Sequence, residues 1–170
     1  MSNDRIYYRK LIDLKYDFDR KELVLQPEYQ RFFTWDIEKQ SKLIESIILG
    51  YPLNPLHLSE EPGGMEVIDG QQRLTTVFRF IDNKFALTKL RQLPQLNGKS
   101  YKQLDLQLQK AIMNYSIGIF PYNGEDKKLK FEIFERLNCG ATTLTPQELR
   151  NAIYHGPYND LIKRIASLIS

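Results

Sequence analysis

The chain has 170 residues, a formal net charge of +3 and 42% hydrophobic residues, values that fit one globular domain with an added helical segment. No apolar run approaches the roughly 20 residues of a membrane span, and the amino terminus lacks the apolar stretch of a signal peptide. A single cysteine, Cys139, excludes an internal disulfide, and two histidines argue against a conventional zinc site. These features predict a cytoplasmic protein.

The first clear element is an amphipathic helix from Asp36 to about Leu49. Its isoleucines share one face, acidic residues lie in its first turn, and Gly50 follows as a stop signal. Ahead of this helix, residues 23–25 predict a short strand. The polar-aromatic segment 27–35 has no clear period and therefore predicts an ordered loop.

Two short strands and a second helix are predicted next. Residues 51–55 are expected to be extended because two prolines disfavour helix around them. Residues 56–58 alternate as a strand does, and the turn at 62–64 leads into a second strand at 66–68. The helix that follows carries a complete core-facing stripe, formed by Leu74, Val77, Phe78 and Ile81.

The second half of the chain is predicted to be mainly helical. Ser100 and Gln103 form a capping box for a helix that reaches about Asn114. Residues 115–120 then indicate a strand, and residues 126–138 a further helix.

The carboxyl-terminal residues continue this helical pattern. Thr145 to Glu148 combine a threonine cap, a proline at the first helical position and a glutamate that completes a capping box. A last amphipathic helix reaches Ser170 without a stop signal; we expect a chain truncated before further domains, with a natural chain end as the alternative. We therefore expect a core at residues 1–122 and a helical extension at 123–170.

A phosphate site is predicted in the segment from Asp69 to Arg73. A strand that runs into a glycine turn and a helix start offers unpartnered N–H groups and a positive dipole to an anion. Gly70 lets the backbone approach an oxyanion, and Arg73 supplies a planar cation one turn later. Gln71 and Gln72 add donors. Asp69 can hold a magnesium ion, a ribose hydroxyl or an attacking water.

The same residues also fit an ordinary structural turn. Asp69 can simply cap the helix, and Arg73 can pair with it on the surface. Arg31, with its neighbour Gln30, offers a second cation for the anion but fits a structural ion pair equally well. The lysines within residues 127–130 are typical of the solvated face of a helix.

Four motifs, in the expected order, resemble those of a known family. They are P-E-Y-Q-R-F-F-T-W (27–35), V-I-D-G-Q-Q-R-L-T-T (67–76), F-E-R-L-N-C-G (134–140) and L-T-P-Q-E-L-R-N-A (144–152). Together they are similar to the DGQQR-motif domain, the N-terminal part of GmrSD-type modification-dependent restriction proteins. The resemblance implies an α+β fold of the ParB/sulfiredoxin type, in which helices pack on a small mixed sheet.

The resemblance also implies roles for particular residues. The G-x-x-R phosphate turn of ParB-like proteins corresponds to Gly70–Arg73, with glutamine in place of the sulfiredoxin cysteine, so sulfinate reduction is not implied. The asparagine that helps to hold magnesium and phosphates corresponds to Asn138. Leu137 replaces the glutamate before it, although Glu135 lies nearby. Asp69 and Asn138 are therefore the expected Mg²⁺ ligands.

The first functional hypothesis is a sensor domain of a DNA-restriction system that binds and hydrolyses a nucleoside triphosphate. Gly70 to Arg73 would hold the phosphates, and Asp69 would orient a magnesium-bound water. Arg31 and Asn138 would complete the site. The resemblance assigns DNA cleavage to a separate HNH nuclease domain or subunit. The sequence lacks the G-x-x-x-x-G-K-[ST] signature, which excludes a P-loop NTPase.

Two alternatives remain open at the level of sequence. The domain could be a DNA-binding or partner-binding module that uses nucleotide as a structural switch or not at all. It could also be a nuclease of the ParB-like kind. The nuclease hypothesis ranks last because the sequence shows no obvious base-and-metal cluster for phosphodiester hydrolysis.

Overall fold

The computed structural model describes residues 6–25, 33–124 and 127–138. Within these residues the chain forms the strands β1 (Tyr7–Lys10), β2 (Leu23–Val24), β3 (Leu56–Glu61), β4 (Gly64–Asp69) and β5 (Ser116–Asn123). It also forms the helices α1 (Leu11–Asp19), α2 (Ile37–Ile48), α3 (Gln71–Ile81), α4 (Leu106–Asn114) and α5 (Lys127–Asn138).

The strands form one mixed sheet in the order β1-β5-β3-β4-β2. The pairs β1–β5 and β3–β4 are antiparallel, whereas β3–β5 and β2–β4 are parallel. The β3–β4 hairpin changes register between His57 and Leu58. The predicted α+β class with a small mixed sheet is confirmed.

Helices α1 to α4 contribute to a core on one face of the sheet. Leu56 and Leu58 of β3 point into this core and are fully buried, as is Val67 of β4. From the helical side, Ile44 of α2 and Leu74 of α3 contact them as members of the same apolar cluster. Successive residues of a strand point to opposite faces. The residues between these therefore belong to the second face.

Helix caps explain where α2 and α4 begin. The Asp36 side chain accepts a hydrogen bond from the Lys39 amide at 2.8 Å, at the helix start that the sequence predicts. The predicted capping box of Ser100 and Gln103 is present, but it opens a single 3₁₀ turn. Helix α4 begins instead after Asp105, whose side chain caps the first turn. The sequence prediction of one helix from Ser100 was therefore wrong.

Most other predicted elements are confirmed with small changes of boundary. The strand predicted at 66–68 extends over the whole of β4, and that predicted at 115–120 continues to Asn123. Neither β1 nor α1 was predicted; both lie in a mixed-charge segment near the amino terminus. The predicted helices beyond residue 138 lie outside the described residues.

The second face of the sheet carries a buried ion cluster. Lys130 of α5 donates to Glu66 at 2.6 Å and to Glu61 at 2.5 Å. Its side chain is only 13% exposed, so the expectation of a solvated face was wrong for this lysine. Glu66 alternates with the core residue Val67, so α5 packs on the face opposite the main core.

Candidate functional site

Helix α3 begins immediately after the end of β4, at Gly70. Gly70 is the residue before the first helical turn and has φ 106° and ψ 6°, a left-handed conformation that favours glycine. No side chain within the described residues caps this helix start. A Cβ at position 70 would collide with the Leu56 side chain, so the glycine also permits close packing of α3 on β3.

Arg73 crosses from α3 to the segment that precedes β3. Its guanidinium donates to the backbone carbonyl of Pro55 at 3.0 Å, to that of Asn54, and to Asp69 Oδ2 at 3.2 Å. The side chain is 15% exposed, and burial lowers the pKa of the guanidinium, an effect that the Asp69 carboxylate opposes. Arg73 therefore pairs with Asp69, as the structural-turn alternative predicted, but the arginine side chain is largely buried and does not lie on the surface.

These contacts give Arg73 a positioning role without using all of its donors. A guanidinium has five N–H groups, and three hydrogen bonds to described residues leave two without a partner among those residues. The arginine thus ties together the end of β4, the start of α3 and the segment before β3.

Asp69 is the last residue of β4 and lies directly before Gly70. Its side chain is 40% exposed, and Oδ2 accepts from Arg73. Within the described residues, Oδ1 has no hydrogen-bond partner. Asp69 is also paired with His57 across the β3–β4 hairpin, so the two side chains lie on the same face of the sheet.

His57 stands in a stack of aromatic rings beside Asp69. Its ring lies 5.3 Å from that of Phe120 and 5.7 Å from that of Tyr122, both of β5, and it is nearly parallel to each. Nδ1 is 2.8 Å from the Tyr122 hydroxyl. Burial lowers the pKa of His57, Asp69 opposes this shift and Arg73 adds to it. The imidazole is therefore neutral near pH 7.

The sequence prediction of the site did not include His57. The alternation of Leu56, His57 and Leu58 places the histidine on the face opposite the core leucines, which was a usable signal. The pairing of His57 with Asp69 depends on the register shift between His57 and Leu58 in the β3–β4 hairpin. The tertiary structure sets that register, so the sequence alone did not predict the pairing.

The two glutamines at the start of α3 have different environments. Gln72 Oε1 accepts from the Thr34 amide at 3.2 Å, which holds the segment after Arg31 against α3. Gln71 Oε1 is buried and has no hydrogen-bond partner within the described residues. A buried carbonyl oxygen without a donor is costly, so Gln71 is suited to receive a donor from a ligand.

Three predicted site residues cannot be placed. Gln30 and Arg31 lie outside the described residues, and the side chain of Asn138 is not described although its backbone ends α5. In the described part of the chain, no three His, Cys, Asp or Glu side chains are grouped as metal ligands usually are. No helix there is long and apolar enough to cross a bilayer.

The family described as "GmrSD restriction endonuclease, N-terminal domain" matches residues 11–155. The chain belongs to this family. Comparison with curated proteins gave no match.

Among solved structures, this GmrSD N-terminal domain is distantly similar to a chromosome-partitioning protein. The truncated chromosome-partitioning protein ParB from Caulobacter crescentus, complexed with CTP-gamma-S, is 15% identical with a TM-score of 0.45. The match covers 95% of the present chain and 65% of the ParB chain.

Proposed function

We propose that this GmrSD N-terminal domain binds a nucleoside triphosphate at the start of α3 and hydrolyses it to control DNA restriction. The observation that carries the proposal is the uncapped helix start at Gly70, flanked by Arg73 and by the half-exposed Asp69. The first N–H groups of a helix and its dipole favour a phosphate at this point.

Each residue of the site has a chemical role in the proposal. The backbone at Gly70 and the two remaining donors of Arg73 bind phosphate oxygens. The Gln71 side chain accepts a hydrogen bond from the ligand, which satisfies its buried oxygen. Gln72 acts indirectly, because it holds the segment around Thr34 that follows Arg31. Arg31, Gln30 and Asn138 stay predictions from the sequence.

The donor set fits a magnesium ion bound together with phosphates. Mg²⁺ is commonly held by one or two carboxylates and substrate phosphates rather than by a full protein cage. Asp69 offers Oδ1, which has no hydrogen-bond partner within the described residues, and Asn138 remains its predicted companion. Such an ion would neutralise negative charge on the phosphates, while Asp69 orients the attacking water.

The experiment is equilibrium binding of ATP, CTP, GTP and UTP with magnesium, followed by phosphate release from whichever nucleotide binds. We expect Arg73→Lys to weaken binding about tenfold, since lysine keeps the charge but not the planar set of donors. Asp69→Asn is expected to retain binding and to slow phosphate release by about 100-fold or more.

Asp13→Asn is the matched control because Asp13 is an exposed carboxylate in α1, and it should behave as the parent chain does. Thermal unfolding of each variant confirms that the fold is intact. If the parent chain binds none of the four nucleotides, the proposal fails. If it binds one but Asp69→Asn and the parent release phosphate equally fast, binding stands and the assigned role of Asp69 in hydrolysis is wrong.

A further inference from the structure

A strongly basic loop connects α3 to α4. Residues 83–104, here called the basic loop, carry five cations and no acidic residue. The net charge of the whole chain is +3, so the remaining residues carry a net charge of −2. The five cations are all exposed: Lys84, Lys89, Arg91, Lys99 and Lys102.

Hydrogen bonds fold the basic loop into two antiparallel arms. The Lys102 amide donates to Asn83 Oδ1 at 2.8 Å, at the base of the arms. Further along, Leu87 exchanges backbone hydrogen bonds with Gly98 and Lys99 at 2.7 and 3.0 Å. These hydrogen bonds bring the outgoing arm, which carries Lys84, alongside the returning arm, which carries Lys99 and Lys102.

The arms are anchored to the body of the domain. Glu45 of α2 is buried, and its Oε1 accepts from the amides of Gln92 and Leu93 at 2.7 and 2.9 Å. Leu87 and Leu96 are buried in the main core. The Glu45 carboxylate thus satisfies backbone amides of the loop, and the cations are presented by an ordered segment.

Most of these cations have no charge partner within the described residues. Lys89 pairs with Glu38, but the other four cations form no ion pair there. A strip of unpaired, ordered cations is suited to a polyanion whose charges repeat at short intervals, as those of a nucleic acid backbone do.

The basic loop and the proposed nucleotide site lie at opposite ends of α3. Lys84 follows the last turn of this helix, and its eleven residues rise about 16 Å from Gly70. No strongly exposed large apolar residue of the described chain lies within the basic loop. A membrane-surface site usually has such residues beside its cations, so their absence favours a nucleic acid over a lipid surface.

We infer that the basic loop binds the phosphate backbone of duplex DNA, without reading its bases. The choice of DNA over RNA rests on the proposed role in restriction, whereas the choice of a polyanion rests on the loop alone. Lysines and an arginine that contact phosphates position a protein on DNA but carry no sequence information. The loop would hold DNA while nucleotide occupies the other end of α3.

The test is fluorescence anisotropy of a short unmodified DNA duplex with the full 170-residue chain over a series of salt concentrations. The triple variant Lys84→Gln, Lys99→Gln and Lys102→Gln should weaken binding by about tenfold or more. It should also reduce the slope of log affinity against log salt by about 2 to 3.

Lys10→Gln, Lys21→Gln and Lys128→Gln together form the matched control, because they remove the same charge from exposed lysines elsewhere. Equal affinity and slope in the two triple variants would overturn the inference. So would binding of single-stranded RNA or anionic lipid vesicles in preference to duplex DNA. Nucleotide binding, measured on the same proteins, should be unchanged in both variants. The nucleotide proposal and the DNA-binding inference can therefore fail independently of each other.

Discussion

His57 of β3 lies directly opposite Asp69 of β4, beside the point where the register of the hairpin shifts. This pairing places an imidazole next to the carboxylate that also accepts from Arg73. The site at the start of α3 is thus continuous with the stack of His57, Phe120 and Tyr122 on the second face of the sheet.

The first prediction concerns the protonation of His57. Burial lowers the pKa of its imidazole below the ordinary 6.5, and Asp69 limits that shift. Because the unfolded chain takes up the proton more readily, the contribution of His57 to stability is lost as pH falls below 6.5. Asp69→Asn should lower the pKa of His57 further, as measured by NMR titration of its ring protons. Asp13→Asn should leave that titration unchanged, and an upward shift in Asp69→Asn would contradict the proposed pairing.

The second prediction concerns the space around Gly70. Gly70→Ala should destabilise the domain by about 2–4 kcal/mol, because it combines backbone strain at φ 106° with a collision against Leu56. Gly98→Ala is the matched control, since Gly98 has φ 82° with nothing within 4 Å of the added Cβ. It should cost about 1 kcal/mol. Urea unfolding measures both values, and equal losses would show that the Leu56 contact is unimportant.

The third prediction concerns the ion cluster under α5. Lys130→Met should cost about 3 kcal/mol at neutral pH, because it leaves Glu66 buried without its cation. Lys128→Met, which changes an exposed lysine two residues earlier in α5, should have little effect.

The cost of Lys130→Met should depend on pH. Burial raises the pKa of Glu66 above its ordinary 4.5, and Lys130 opposes that shift. Ionisation of Glu66 therefore lowers stability as pH rises, and more so without the lysine. The stability deficit of the variant should narrow as pH falls through the raised pKa of Glu66, because a neutral Glu66 no longer needs the cation. Urea unfolding at about five pH values measures the free energy of unfolding of the variant and of the parent chain. A deficit that stays constant from neutral to acidic pH would show that lost packing, and not charge, explains it.

The fourth prediction concerns the anchor of the basic loop. Glu45→Ala should cost about 2 kcal/mol or more, because the amides of Gln92 and Leu93 lose a buried charged acceptor. Hydrogen exchange at those two amides should accelerate by more than it does at the helical amides of α3. Ser46→Ala, which changes the half-buried neighbour whose hydroxyl donates to the Lys42 carbonyl, is the control. Unchanged exchange at Gln92 and Leu93 would contradict the anchoring role.

Much of the local structure followed from the amino-acid sequence. The isoleucine face of α2, the Asp36 cap and the apolar stripe of α3 are local patterns, and each predicted an observed element. The helix start at Gly70 was predicted for the same reason, because glycine and the polar residues after it act over one turn.

The errors arose where a local signal had a competitor outside its own turn. The capping box at Ser100 formed as predicted, but Asp105 provided the cap of the longer helix. Lys130 belongs to a charged run that is typical of a solvated surface, yet two glutamates from the β3–β4 hairpin bury its ammonium.

The sequence by itself determined the start of α3, since periodicity and glycine conformation depend on near neighbours, and its four motifs carried the resemblance that implied the α+β class. The tertiary structure alone decided that Arg73 is held by Asn54, Pro55 and Asp69 and that His57 joins them. Strand register and the meeting of distant side chains depend on how the whole core packs, so no short stretch of sequence specifies them.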